Sequence, residues 1–141
     1  MFTGEYHHNL DTKGRMMIPA KFREDGYSEF FLTRSLDGCL SFYAIPEWKK
    51  LEEKLQALPM TSEKARKLKR YILGSAVSVE CDKQGRILIP QVLRDKAEFE
   101  KDVMLLGVGD YAEIWSSESY EEKNDFSDTE ELAKDMEGMG I

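Results

Sequence analysis

The chain has 141 residues and a formal net charge of −7 at pH 7, a length that suits one compact unit or two very small ones. No apolar stretch is long enough for a transmembrane helix, and the N-terminal residues lack the basic and apolar regions of a secretory signal. The two cysteines, Cys39 and Cys81, are too far apart in sequence for a Cys-x-x-Cys pair. We therefore expect a cytoplasmic protein whose cysteines are inert.

The negative charge is concentrated at the C-terminal end. Residues 116–141 carry nine acids and two bases, whereas residues 1–115 carry 18 acids and 18 bases. The body of the chain is therefore neutral, and it can present a basic face to an acidic partner such as nucleic acid.

One thirteen-residue segment occurs twice. Residues 11–23 align with residues 82–94, and six positions are identical: Asp, Gly, Arg, Ile, Pro and the final Arg. The similarity extends downstream, where residues 30–33 match 103–106 and residues 40–43 match 112–115. Because two repeats are too few for a solenoid, we expect a pseudo-two-fold unit within one chain.

Both repeats predict the same order of elements. A strand leads into an Asp-x-x-Gly turn of type I, and a second strand ends at a proline that begins a short helix. Two further strands complete each repeat. The predicted strands are 5–10, 15–18, 30–34 and 40–45 in the first repeat and 76–81, 86–89, 103–107 and 112–116 in the second, with short helices over 20–25 and 91–97.

The segment between the repeats has helical periodicity. Trp48, Leu51 and Leu55 recur at helical spacing, and Pro59 ends that helix. A second helix follows, capped by Thr61 or Ser62 and ended by Gly74, so the two predict a helical hairpin. Near the C-terminus, Asp128 and Glu131 have the spacing of a capping box.

The repeated Asp-x-x-Gly-Arg motif is the candidate binding site. A hairpin turn requires the glycine but tolerates many residues at the arginine position, so an arginine in both diverged copies indicates a further role. An arginine held by a neighbouring carboxylate is oriented to contact a guanine edge or a phosphate. The alternative is a purely structural pair in which the arginine only neutralises the aspartate. Lys13 and Lys83 place additional positive charge in the same turns.

These residues resemble a known family. Asp11-Thr-Lys-Gly-Arg15 with Ile18-Pro19, and Asp82-Lys-Gln-Gly-Arg86 with Ile89-Pro90, are similar to the paired signature of the MraZ family of bacterial transcriptional regulators. The resemblance covers about residues 1–120 and includes the Gly38-Cys39-Leu40 turn, the helical linker and the Glu113-Ile-Trp115 strand.

The resemblance implies a fold of the α+β class, mainly β with short helices. Two AbrB-like swapped-hairpin β modules would form a pseudo-two-fold barrel and be joined by the helical hairpin. The corresponding division is a first DNA-binding module over 5–47, a helical linker over 48–75, a second DNA-binding module over 76–119 and an acidic C-terminal segment over 120–141.

The resemblance also implies a function. The family binds double-stranded DNA at short direct repeats in the promoter of its own division and cell-wall gene cluster. It assembles as a homo-oligomeric ring, for which we expect eight subunits. We expect this ring to be associated with the nucleoid. Arg15 and Arg86 would contact DNA, positioned by Asp11 and Asp82. The charge of Lys13 and Lys83 adds phosphate contacts.

Other classes of function give weaker interpretations. A toxin-binding antitoxin and an architectural ring without sequence preference are the two alternatives. The basic run from Lys64 to Arg70 is a solvated helix face, a subunit contact or a secondary DNA surface. His7 and His8 are expected to be strand residues and not metal ligands, because neither recurs in the second repeat. No catalytic motif is present, so we expect neither an enzyme nor a cofactor, a small-molecule substrate or a membrane.

Overall fold

The computed structural model describes residues 1–140, which contain eight strands in two antiparallel sheets and five α-helices. The first repeat supplies β1 to β4 and the second supplies β5 to β8. The strands are β1 (Phe2–Asn9), β2 (Arg15–Met17), β3 (Glu29–Arg34), β4 (Leu40–Ala44), β5 (Val77–Glu80), β6 (Arg86–Leu88), β7 (Asp102–Gly109) and β8 (Ala112–Ser116). The helices are α1 (Ile45–Gln56), α2 (Glu63–Ile72), α3 (Gln91–Lys96), α4 (Ser117–Lys123) and α5 (Thr129–Asp135), with 3-10 turns at Ala20–Arg23 and Glu137–Met139.

The larger sheet mixes strands of the two repeats. Its order is β1-β7-β8-β4-β3-β5, so the first strand of each repeat pairs with the third strand of the other. β1 pairs with β7 along its whole length, from Phe2 opposite Gly109 to Asn9 opposite Asp102. β5 pairs with β3, and β4 pairs with β8 at the centre. Neither repeat therefore forms a sheet without strands from the other.

The smaller sheet consists of β2 and β6, and we call it the β2–β6 ribbon. Arg15 lies opposite Leu88, Met16 opposite Ile87, and Met17 opposite Arg86. The expectation of a closed barrel is wrong, because the strands form an open six-stranded sheet and a separate ribbon. Since β2 and β6 have only three residues each and pair with each other, the ribbon is too short to connect the sheet edges β1 and β5. The mixture of antiparallel strands and short helices agrees with the predicted α+β class.

One hydrophobic core lies between the ribbon and the large sheet. Met16 and Ile87 point inward from the ribbon and are fully buried, and residues of every strand of the large sheet belong to the same cluster. Phe22 and Leu93, which follow the two prolines, are the equivalent buried residues of the two short helical segments. The repeats therefore share one core.

Helices α1, α2 and α4 lie on the opposite face of the large sheet. Trp48 of α1 stacks on Phe31, which alternates with the core residues Phe30 and Leu32 along β3. On the same face, the Thr33 hydroxyl donates to the Ile72 carbonyl of α2 at 2.5 Å. The Tyr120 ring of α4 packs against Trp115. The sheet therefore separates these helices from the β2–β6 ribbon.

Several element boundaries differ from the prediction. α1 begins at Ile45 because Pro46 suits the first turn of a helix, and the Ser62 side chain caps α2 by accepting from the Ala65 amide at 3.1 Å. In the first repeat, the predicted helix over 20–25 is only a four-residue 3-10 turn. α4 was not predicted; it follows β8 directly, and Ser116 caps it.

The predicted capping box at Asp128 is wrong. Asp128 has φ −104° and ψ 23°, which is not the extended conformation of an N-cap, and its side chain makes no capping hydrogen bond. Every residue from 125 to 140 is exposed. Within residues 1–140, no helix has both the length and the apolarity needed to cross a membrane.

The ribbon yields a prediction about stability. Ile87→Ala should lower the free energy of unfolding by about 2–5 kcal/mol, because it leaves a cavity at a fully buried position. The neighbouring Leu88 is 53% exposed, so Leu88→Ala should change the free energy of unfolding by less than about 0.5 kcal/mol. Urea denaturation of both variants measures the difference. Equal effects would show that the ribbon does not form part of the core.

Candidate nucleic-acid interface

The first Asp-x-x-Gly-Arg turn is organised by one carboxylate. Oδ1 of Asp11 accepts hydrogen bonds from the backbone amides of Lys13 and Arg15, both at 2.9 Å. Oδ2 accepts from Nε of Arg15 at 2.6 Å. The Gly14 amide donates to the Asp11 carbonyl at 3.0 Å, which closes the predicted four-residue turn. The carboxylate thus fixes the backbone of the turn and the direction of the arginine.

The second turn repeats this arrangement. Oδ1 of Asp82 accepts from the amides of Gln84 and Arg86, both at 2.9 Å, and Oδ2 accepts from Nε of Arg86 at 2.9 Å. Gly14 and Gly85 have φ values of +85° and +82°, a left-handed conformation that favours glycine. The two copies of the motif therefore have the same local geometry.

The two turns are neighbours in space. The Ile18 amide donates to the Gly85 carbonyl at 2.9 Å, and the Ile89 amide donates to the Gly14 carbonyl at 3.0 Å. Nη1 of Arg86 lies 3.8 Å from Oδ2 of Asp11, across the ribbon. The fold thus brings the predicted site residues of both repeats, which are about 70 positions apart in the chain, to one end of the ribbon.

Two further arginines belong to this site, although the sequence analysis assigned them no role. Nε of Arg94 donates to the Ile89 carbonyl at 2.8 Å, and Nε of Arg23 donates to the Ile18 carbonyl at 3.2 Å. A Cβ atom added at Gly14 would overlap the Arg94 guanidinium, and one added at Gly85 would overlap that of Arg23. Each arginine therefore supports the turn of the other repeat. Their position as the final identical residue of the motif was the available signal.

The outer surface of the site is basic. Lys13 and Lys83 are exposed, and Arg15 and Arg86 are partly exposed with side-chain fractions of 32% and 27%. The two turns therefore hold four cations and two carboxylates, and Arg23 and Arg94 lie against them. This excess of positive charge is suited to binding a polyanion.

The basic run, the histidines and the cysteine that the sequence analysis considered lie outside the two turns. The basic run Lys64–Arg70 is on α2, on the sheet face opposite the ribbon, where Lys69 and Arg66 donate to the Leu58 and Met60 carbonyls. His7 and His8 lie in β1, as predicted. Burial raises the pKa of the Cys39 thiol to about 12, so this cysteine stays protonated at neutral pH.

Both turn carboxylates have lowered pKa values. The backbone amide of Arg15 is the main cause of a pKa of about 2 for Asp11, and the Arg15 side chain adds to the effect. The backbone amide of Arg86 is likewise the main cause of the lowered pKa of Asp82. Both groups are therefore ionised whenever the arginines bind a ligand near neutral pH.

The pKa of Asp11 gives a second prediction. Its folded pKa lies below the usual aspartate value of 3.8, so its contribution to stability is present above about pH 4 and is lost as the pH falls toward 2. The difference in unfolding free energy between wild type and Asp11→Asn should shrink over that range. NMR titration of the Asp11 carboxyl should give a midpoint near 2, unchanged in the exposed control Thr12→Ala. A midpoint near 3.8 would contradict the bonding of this turn.

Comparisons with known proteins show the family of this chain. The family model described as "MraZ protein, putative antitoxin-like" matches twice, over residues 1–71 and 72–138. Proteins named "Transcriptional regulator MraZ" are similar along the full length of both chains: 49% identical in Caldanaerobacter subterraneus subsp. tengcongensis, 48% in Thermoanaerobacter sp. strain X514 and 48% in Clostridium acetobutylicum. With two matched repeats and full-length identity near one half, this chain belongs to the MraZ family.

Proposed function

We propose that this protein is a transcription regulator that binds promoter DNA in a sequence-specific manner through its two Asp-x-x-Gly-Arg turns. The observation that carries the proposal is the pairing of two equivalent turns, each with an oriented arginine, at one end of the ribbon. The name "Transcriptional regulator MraZ" of the relatives supports it.

The arginines have the donors that base recognition requires. In each turn Nε is bonded to the aspartate of the same motif, and the Nη groups carry the remaining donors of the guanidinium. Nη1 of Arg86 also lies 3.8 Å from Oδ2 of Asp11, so a base bound by Arg86 would compete with this weak ion pair. Paired guanidinium N–H groups match the O6 and N7 acceptors of guanine in the major groove. A two-stranded ribbon is also narrow enough to enter that groove. Asp11 and Asp82 act as positioning residues.

The lysines and the second pair of arginines have supporting roles in this proposal. Lys13 and Lys83 are exposed in the turns and neutralise phosphates at the groove edges. Arg23 and Arg94 hold each turn against the opposite repeat and add to the positive potential.

We further propose that the repeats are related by a pseudo-two-fold axis through the ribbon. The strand order reads the same when the repeats are exchanged, and the reciprocal Ile18–Gly85 and Ile89–Gly14 bonds support this relation. Residues 5–47 and 76–119 would then be the two DNA-binding modules. The proposed targets are short direct repeats in the promoter of the protein's own division and cell-wall gene cluster, bound by a homo-oligomeric ring, with eight subunits as the favoured number.

The first test removes the arginine side chains. Arg15→Ala and Arg86→Ala should each weaken binding to promoter DNA by about 1–3 kcal/mol, the value of one bidentate guanine contact, without unfolding the protein. Gel shifts measure affinity and circular dichroism melts measure stability. Arg70→Ala, an exposed arginine of α2, is the charge-matched control. A double variant that binds as tightly as wild type, or an equal loss in the control, would contradict the site assignment.

The second test concerns the number of DNA sites. A single unit contacts few phosphates and should bind weakly, with a salt slope near −0.9 per phosphate contacted. A multimer gains effective concentration once its first contact forms, so a probe with three tandem sites should bind more tightly than a probe with one. Gel shifts with both probes measure the gain. Equal affinities, or a monomer mass by light scattering at micromolar concentration, would contradict the proposed ring.

A further inference from the structure

The outer face of the β2–β6 ribbon carries two apolar side chains among its cations. Met17 is 40% exposed and Leu88 is 53% exposed. Successive side chains of a strand point to opposite faces, so the buried Met16 and Ile87 place Met17 beside Arg15, and Leu88 beside Arg86, on the outer face. This face therefore consists of two arginines and two aliphatic side chains.

The register places one apolar side chain directly opposite each arginine. Met17 lies opposite Arg86, and Leu88 lies opposite Arg15. Directly opposed residues of an antiparallel pair have Cβ atoms about 4.5–5.5 Å apart. Whatever base Arg86 contacts, Met17 faces the same stretch of the groove, and Leu88 has the same relation to Arg15.

Both positions are apolar on a face whose other two side chains are arginines. The core does not use these side chains, since both point away from it, and phosphate groups offer them no apolar partner. The major groove displays one apolar group, the C5 methyl of thymine, which aliphatic side chains recognise. Burial of one methyl contributes about fourfold to an affinity.

We propose that Met17 and Leu88 are specificity-determining residues that contact thymine methyl groups close to the guanines bound by Arg86 and Arg15. This inference rests on the proposed function, and it adds a preference that arginine contacts alone do not supply. Each turn and its opposite residue would thus read a guanine together with a nearby thymine.

Replacement of thymine by deoxyuridine tests the contact, because deoxyuridine pairs with adenine in the same way and lacks only the methyl group. The full-length protein is first footprinted on its own upstream region, and the protected segment is then synthesised with thymine or with deoxyuridine. Fluorescence anisotropy at fixed salt compares wild type and the double variant Met17→Ala/Leu88→Ala on both probes. Leu36→Ala, a 76% exposed apolar residue in the β3–β4 turn, is the matched control.

Wild type and the control should each lose about fourfold in affinity per contacted methyl on the deoxyuridine probe. The double variant should bind the thymine probe as weakly as wild type binds deoxyuridine, and it should not distinguish the probes. Equal binding of both probes by wild type, or the same deoxyuridine loss in the double variant, would overturn the inference and leave DNA binding through the arginines intact. Failure of wild type to bind the thymine probe would instead overturn the proposed function, and this inference with it.

Discussion

The three-residue ladder between β2 and β6 is the contact on which the site depends. It joins two turns that lie about 70 residues apart in the chain, and the Met16–Ile87 pair anchors it in the core. The reciprocal amide bonds from Ile18 and Ile89 to the opposite turn glycines then fix the turns relative to each other. The loop-closure entropy for bringing these turns together is lost during folding, so a ligand that contacts both meets a preorganised surface.

Within each turn, one carboxylate serves two functions that oppose each other electrostatically. Asp11 and Asp82 satisfy backbone amides and hold Nε of the arginine, which orients its remaining donors. The same negative charge reduces the attraction of each turn for phosphate. The aspartates therefore fix the orientation of the arginines at the cost of net positive charge, which is what the proposed base recognition requires. Lys13, Lys83, Arg23 and Arg94 restore the positive excess.

Turns, helix starts and helix caps could be predicted from the sequence, whereas the pairing of distant strands could not. Asp-x-x-Gly turns, the proline starts and the Ser62 cap depend on residues a few positions apart, and the structure has them as predicted. β1 pairs with β7 of the second repeat, and β5 pairs with β3 of the first. This exchange depends on which pairing of distant strands buries more apolar surface, and the alternation of apolar residues along the strands is compatible with several pairings. The support of each turn by Arg23 or Arg94 of the other repeat follows from that exchange. The failed cap at Asp128 has a different cause: an exposed segment has no packing to select the conformation that the motif favours.

A chain of net charge −7 is compatible with a polyanionic ligand because its excess negative charge and its repeated motif lie in different parts of the sequence. Residues 116–141 carry the whole excess of negative charge, and α4 begins that segment on the face of the sheet opposite the ribbon, where Tyr120 meets Trp115. Glu118 and Glu122 of α4 nevertheless line one cleft with Arg94, so this helix lowers the positive potential at that arginine. The two turns themselves hold four cations and two carboxylates, so their local charge is positive although that of the whole chain is negative. Total charge is therefore a poor guide to the local potential at the repeated motif.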